Sequence, residues 1–206
     1  THRPNGGTAI GPHLMKVLKE ASASEKVEIR TGNKVTGLLM DGVRVCGVKV
    51  ENHNGSPYQI SASAVIIATG GFGANIGMVT KYCPEFEGLA TLNHKGATGD
   101  AFKWVEEAGG SLIHLDQIQI HPTSECVNHI LITEAVRGNG AILVNVQGQR
   151  FVNEMDTRDV VAGAILRQKD GMAYLIFDEQ VRKSLASIET YANQGVLKSA
   201  DSVEKL

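Results

Sequence analysis

The chain has 206 residues, 42% hydrophobic and 20% charged, with a formal net charge of −2. That balance suits one large or two small globular domains and excludes disorder. It also leaves no global basic surface for nucleic acid or anionic lipid, and the longest apolar run, around Ala62 to Ala68, is too short to cross a membrane.

In chain order, Thr8 to Ala23 reads as a helix. Leu14, Val17, Leu18 and Ala21 share one face, Thr8 is a candidate cap, and Pro12 sits early, where a missing N–H is tolerated. Short strands are expected at Val27–Arg30, Val35–Met40 and Val43–Glu51, with Asp41-Gly42 as a hairpin turn. Tyr58-Gln59-Ile60 follows Asn54-Gly55 as a further strand. Ala64 to Ala68 is a continuous apolar run of strand length, the pattern of a strand buried on both faces.

Gly70-Gly71-Phe72-Gly73 interrupts regular structure, and Asn75 to Tyr82 reads as a short helix. Ala101 to Ala108 is a clearer helix, closed by Gly109-Gly110. Ile113 to Ile120 is expected to be extended, and Ala141 to Val146 a strand turning at Gln147-Gly148. A helix over Val160–Arg167, a buried strand at Tyr174–Phe177 and a helix over Glu179–Ser187 follow, with Ser202 opening a last one. Helices and strands mix throughout, which predicts an α+β or α/β fold. The best domain boundary lies at Ile113 to Pro122, where a glycine-rich part gives way to a part rich in histidine and arginine.

The three cysteines, Cys46, Cys83 and Cys126, are widely spaced and form no C-x-x-C. Thiolate metal sites, c-type haem attachment and a disulfide framework are therefore unsupported. No metal site is expected, since neither His-Glu-x-x-His nor EF-hand spacing occurs. Ser124, Ser184 and Ser187 lack the Gly-x-Ser-x-Gly context of a serine hydrolase. A dinucleotide phosphate loop needs Gly-x-Gly-x-x-Gly between strand and helix. Gly71-Phe72-Gly73 meets Ile76 at the third position, and Gly138-Asn139-Gly140 precedes a strand. Neither is that fingerprint. The chain opens on Thr1 without a signal-like segment and closes on Lys205-Leu206, so the expectation is a piece of a longer polypeptide.

The densest chemistry lies between Gln119 and Arg158. Gln119-Ile120-His121-Pro122-Thr123 is followed by Thr133-Glu134-Ala135-Val136-Arg137-Gly138, then by Arg150-Phe151-Val152-Asn153-Glu154 and Thr157-Arg158-Asp159. A guanidinium fork matches a carboxylate two bonds at a time, and a glutamate held between arginines can pass protons. This inventory suits a site that grips a small carboxylate and delivers a proton.

In order and spacing these three motifs resemble the flavoprotein of the fumarate reductases and succinate dehydrogenases. The short gap between Arg150-Phe151 and Thr157-Arg158-Asp159 is most similar to the soluble, flavocytochrome c branch. The resemblance implies FAD as cofactor. It implies part of an α/β FAD-binding domain over residues 1–115 and part of an α+β capping domain over 116–206. Arg158 would be the proton donor to substrate carbon, with Glu134 and Arg137 as the relay that reloads it. His121 would hold one substrate carboxylate, with Gln119 and Thr133 orienting it. Ala68-Thr69-Gly70-Gly71 would lie beside FAD, Val35 near its adenine end, and Thr91, Asn93 and Thr98-Gly99-Asp100 near the flavin. Ala101 stands where the family usually has glycine.

The implied reaction is reduction of an activated C=C bond, fumarate to succinate first. Reductases of urocanate, acrylate or related acids remain alternatives, with L-aspartate oxidase and succinate dehydrogenase disfavoured by the short linker. A non-catalytic folding or interaction module is the alternative from another class. The implied partners are a small dicarboxylate and an electron donor that is haem-based, quinone-linked or NADH-driven. Neither nucleic acid nor direct membrane insertion is expected. The isolated chain is expected to be inactive, and either to self-associate or swap segments or to leave its first third poorly ordered. Periplasmic, cytoplasmic and mitochondrial locations all stay open, as does covalent attachment of FAD.

Overall fold

The computed structural model describes residues 10–202 and 205. Thr8, expected to cap the first helix, and most of the stretch after Ser202 lie outside the described residues. The fold is mixed helix and strand, as expected, and every strand pair among the described residues is antiparallel. The chain divides into two units that interleave in sequence. The first comprises residues 1–67 and 103–111, the second 68–102 and 112–206.

The first unit holds α1 (Ile10–Ser24) and a sheet of β1 (Lys34–Asp41), β2 (Arg44–Glu51) and β3 (Pro57–Ser61) in the order β1-β2-β3. The first hairpin turns one residue later than its Asp-Gly dipeptide suggests, since Asp41 pairs with Arg44 across Gly42 and Val43. Gly42 has φ +58°, at a turn position where the absence of a Cβ removes the steric cost. Two register shifts, between Val35 and Gly37 and between Leu39 and Met40, bend β1. Gly47 on β2 has φ +154°, and a Cβ there would lie 2.1 Å from the Ile60 carbonyl oxygen. β3 can approach only a glycine at this point. Leu38, Val50 and Trp104 are buried. The apolar residues of α1 are not: Ile10, Leu14, Met15, Val17 and Leu18 are all exposed.

Two expected strands are absent: Val27–Arg30 and Ala64–Ala68 carry no ladder pairing. Ile113–Ile120, expected to be extended, is irregular and turns at Leu115 and Asp116. For Ala64–Ala68 the reason is physical. An apolar run is a buried strand only when neighbours fill both its hydrogen-bonding edges and its faces. None of the described residues does so, and Ile66 is 91% exposed.

The second unit contains α2 (Ile76–Tyr82), a 3-10 turn at Pro84–Phe86 and the start of α3 (Asp100–Glu107). Then come α4 (Glu134–Gly138), β4 (Ile142–Val144), α5 (Arg158–Leu166), β5 (Tyr174–Ile176), α6 (Glu179–Ser184) and α7 (Ala186–Asn193). The sequence reading missed α4, whose five residues are too few for an apolar stripe, and it ran one helix over Glu179–Ser187 where the chain breaks at extended Leu185 into α6 and α7. Both α4 and α7 are made by packing. Val136 of α4 joins Ala141, Val181, Leu185, Ile188 and Tyr191 in one core. Leu143 of β4 packs with Val161 and Ile165 of α5 in another. β4 pairs with β5 from Ile142–Ile176 to Val144–Tyr174. These two cores fix where α4 and α5 begin, and the chemistry stands at those two starts.

Candidate functional site

Thr133 caps α4. Its hydroxyl accepts from the Ala135 amide, and its own amide donates to the Tyr191 hydroxyl at 3.1 Å. Tyr191 is buried in the core, so α4 starts at a fixed point. Glu134 and Arg137 are three residues apart and therefore share a helix face. Arg158 is the first residue of α5, directly after Thr157. Its guanidinium pairs with the Glu134 carboxylate and also donates from Nη1 to the Gln119 side-chain oxygen. Three residues from three separate segments, at 119, 134 and 158, thus meet at one fork.

Arg137 is 5% exposed. Its Nη1 donates to the Glu154 main-chain oxygen at 2.8 Å, and its Nε is buried with no partner among the described residues. Burial pulls its pKa below the usual arginine value, and the Arg158 charge adds to that, while Glu134 and Glu154 oppose it. A recess of about 260 Å³ opens here, lined by Glu134, Arg137, Glu154, Met155, Thr157 and Arg158.

His121 is half-buried. Its Nδ1 lies 2.9 Å from the Thr123 carbonyl oxygen. The Thr123 amide lies 3.3 Å from the same nitrogen, so Thr123 engages Nδ1 in either tautomer and Nε2 is the ring nitrogen left for a ligand. Nε2 is buried and has no partner among the described residues. Burial lowers the His121 pKa. The Thr123 carbonyl and Glu134 work against burial, and Arg158 and Arg137 work with it. The histidine therefore sits within the electrostatic reach of the relay residues, uncharged at neutral pH and with one nitrogen unsatisfied.

The other predicted residues divide between the two units. Val35 lies in β1, half-buried and paired with Val50. Ala68, Thr69, Gly70 and Gly71 form an exposed segment without regular structure. Gly70 has φ +77°, and no atom lies within 4 Å of where a Cβ would stand on Gly70 or Gly71. The loops after it interlock. The Gly99 amide donates to the Gly71 carbonyl at 3.2 Å, and the Ala74 amide to the Ala97 carbonyl at 2.8 Å. The Thr91 hydroxyl donates to the Gly73 carbonyl at 2.6 Å, and Thr98 donates to Asp100 at 2.8 Å. The Asn93 amide nitrogen would lie 2.4 Å from a Cβ on Gly73. Thr91 and Asn93 therefore act on the shape of the glycine loop. Asn75 also ties this loop, capping α2 and donating to the Thr98 carbonyl at 3.1 Å.

A family model described as an FAD binding domain matches residues 1–197. The chain belongs to this FAD-binding family. It is 44% identical over its whole length to a fumarate reductase (cytochrome) of Shewanella frigidimarina, of which it spans 36%. It is 41% identical, again over its whole length, to an NADH:fumarate oxidoreductase of Klebsiella pneumoniae, spanning 22% of that protein. The solved open conformation of a flavocytochrome c3 fumarate reductase superposes with a TM-score of 0.80 at 36% identity, over 99% of this chain and 36% of that one. The chain thus spans between about a fifth and about a third of the length of these relatives. No group of three or more His, Cys, Asp or Glu able to hold a metal exists among the described residues. None of its described helices is long and apolar enough to cross a membrane. The cysteines are free thiols: Cys83 is buried, Cys46 half-buried and Cys126 exposed.

Sequence reasoning gave no role to Glu154, Arg150, Tyr191 or Asn75. The only signal for the first two was their place in the Arg-Phe-x-Asn-Glu motif. Tyr191 carried none, because a cap partner 58 residues away leaves no local pattern; Asn75 stood only as the first residue of an expected helix, and its bond to Thr98 spans 23 residues.

Proposed function

We propose that this chain is the central portion of a flavoprotein that reduces the activated C=C bond of a small dicarboxylate, fumarate to succinate. Residues 1–115 belong to its FAD-binding part and 116–206 to the domain that closes over the substrate. The observation that carries the reading is the meeting of Arg158, Glu134 and Gln119, with Arg137 and His121 in electrostatic range.

The residues present fit FAD in one respect that can be checked on the backbone. At Gly70 and Gly71 the chain is open where a side chain would stand, so a cofactor can approach the main chain closely. Ala68 to Gly71 would hold it there, with Thr91, Asn93 and Thr98 to Asp100 shaping the loop, and Val35 contributing from β1. Bound FAD supplies a hydride to one carbon of the double bond.

The chain's own residues do the rest. His121 binds one carboxylate at its free Nε2, with Gln119 and Thr133 helping to orient the substrate. Negative charge develops on the carbon adjacent to the one that takes the hydride. Arg158 stabilises that charge and gives it a proton, completing the two-electron reduction. A guanidinium is an unusual acid, because it ordinarily keeps its proton across the whole working pH range. It serves here because the acceptor is a carbanion-like carbon, more basic than any ordinary side chain. The neutral Arg158 then regains its proton from Glu134, which is reloaded through Arg137. The low pKa that burial imposes on Arg137 favours release of its proton. Electrons come from a donor domain or subunit.

The test is the full-length protein, assayed for bound flavin and for oxidation of a reduced viologen dye by fumarate, urocanate and acrylate. Turnover with fumarate above the other two is the expected result. Preference for urocanate or acrylate moves the substrate assignment to that acid, and no turnover with any of them, in a flavin-loaded protein, removes the reading.

A further inference from the structure

A carboxylate outside the proposed relay is held more firmly than any group within it. Glu154 is 4% exposed, although its segment, 151–157, has no regular secondary structure. Its Oε1 accepts from the Leu143 amide at 2.8 Å and from Arg150 Nε at 3.1 Å, and its Oε2 accepts from Arg150 Nη2 at 2.6 Å. Burial works to raise its pKa, but the Arg150 fork and the Leu143 amide outweigh it and keep the carboxyl below its usual range. Leu143 is 1% exposed and sits on β4 inside a core cluster. The side chain of Glu154 therefore ties an irregular segment to a strand seated in a buried core.

The main chain of the same residue faces the relay. The Glu154 carbonyl accepts from Arg137 Nη1, and this is the only hydrogen bond of the Arg137 guanidinium among the described residues. Four residues on, α5 begins with Arg158. The connection between them is stiffened by short-range bonds. Met155 donates to the Asn153 side chain at 3.1 Å, Asp156 to the Asn153 carbonyl at 3.1 Å, and Thr157 to the Asp156 side chain at 2.8 Å.

We infer that Glu154, clamped by Arg150, is the positioning residue of the site: it places Arg137 through its own carbonyl and Arg158 through the stiff turn that follows, and so sets the separation of the two guanidiniums. The inference rests on the proposed relay and extends it to two residues that touch neither substrate nor cofactor. A charged carboxylate is required. Two oxygens accept three N–H groups, whereas a glutamine offers one oxygen and would turn its NH₂ toward Leu143 N–H or toward the Arg150 fork. A displacement of about 1 Å in a proton-delivery site costs about 100-fold in rate.

The experiment uses the full-length flavoprotein. Glu154→Gln keeps the volume and should lower kcat about 100-fold with a smaller change in KM. Its solvent deuterium isotope effect on kcat should exceed that of the wild type, because proton delivery now limits turnover. Should Glu154→Gln fail to fold, Arg150 provides the second handle, since its side chain is 58% exposed. Arg150→Ala should lower kcat in the same way and lower the melting temperature by leaving a buried carboxylate unpaired, and Arg150→Lys should restore most of both, with flavin content near wild type in each folded variant. A foldable variant with unchanged kcat and isotope effect overturns the positioning role. So does a loss of kcat that only follows loss of flavin or of folded protein. A wild-type protein without reductase turnover overturns the underlying relay instead, and the two failures are told apart by that control.

Discussion

Replacing Arg158 by lysine separates holding from proton delivery. Arg158 engages Glu134 and Gln119 at once through different nitrogens of one planar group. A lysine ammonium is a single point on a flexible stem and cannot span both while also reaching substrate carbon. Removing a positioned general acid costs about 10²–10⁴-fold in rate, which is about 2.7–5.5 kcal/mol of barrier. The stability cost should be far smaller. The Arg158 and Glu134 side chains are 40% and 43% exposed, and exposed ion pairs contribute about 0–1 kcal/mol. In the full-length protein, kcat for fumarate should therefore fall by at least two orders of magnitude, while flavin content, KM and thermal midpoint stay near wild type. Steady-state kinetics with a reduced viologen dye, together with flavin absorbance, measure all of these. Turnover within about threefold of wild type would refute the proton-donor assignment and the reasoning from fork geometry together.

His121→Ala should raise KM for a dicarboxylate more than for a monocarboxylate that lacks the group His121 holds; equal effects on both would make the residue structural. A charged imidazolium holds a carboxylate more tightly than a neutral ring, and burial lowers the His121 pKa. KM should therefore climb with pH above that lowered pKa, and the slope should vanish in His121→Ala. Gly47→Ala drives a Cβ to 2.1 Å from the Ile60 oxygen at a φ of +154°. It should destabilise the fold by about 1–3 kcal/mol, read as a fall in the urea midpoint, and an unchanged midpoint would mean that β3 can move away at no cost. The isolated 206-residue chain exposes Ile66 at 91%, and α1 exposes Leu14 and Leu18 at 50% each. Such surface favours association. Sedimentation should show oligomers, and a lone monomer at all concentrations would count against the idea.

Local pattern was enough wherever a neighbour in sequence supplies the partner. The Lys34–Glu51 hairpin, the α3 stop at Gly109-Gly110 and the α5 stripe of Val161, Ala164 and Ile165 were all readable, because turns, caps and helix faces are short-range chemistry. The motif residues Gln119, His121, Glu134, Arg137 and Arg158 were also legible, since their order along the chain is itself the signal of the family. Tertiary structure alone decided the rest. Ala64 to Ala68 has the composition of a central strand, but strand identity belongs to a ladder, and no described neighbour supplies one. α4 has too few residues to announce itself and exists because Val136 enters a core closed by Ile188 and Tyr191. Above all, residues 119, 134 and 158 meet only because two hydrophobic clusters seat α4 and α5. Glu154 acquires its place only when Leu143, 11 residues away on β4, offers a buried amide that a carboxylate satisfies.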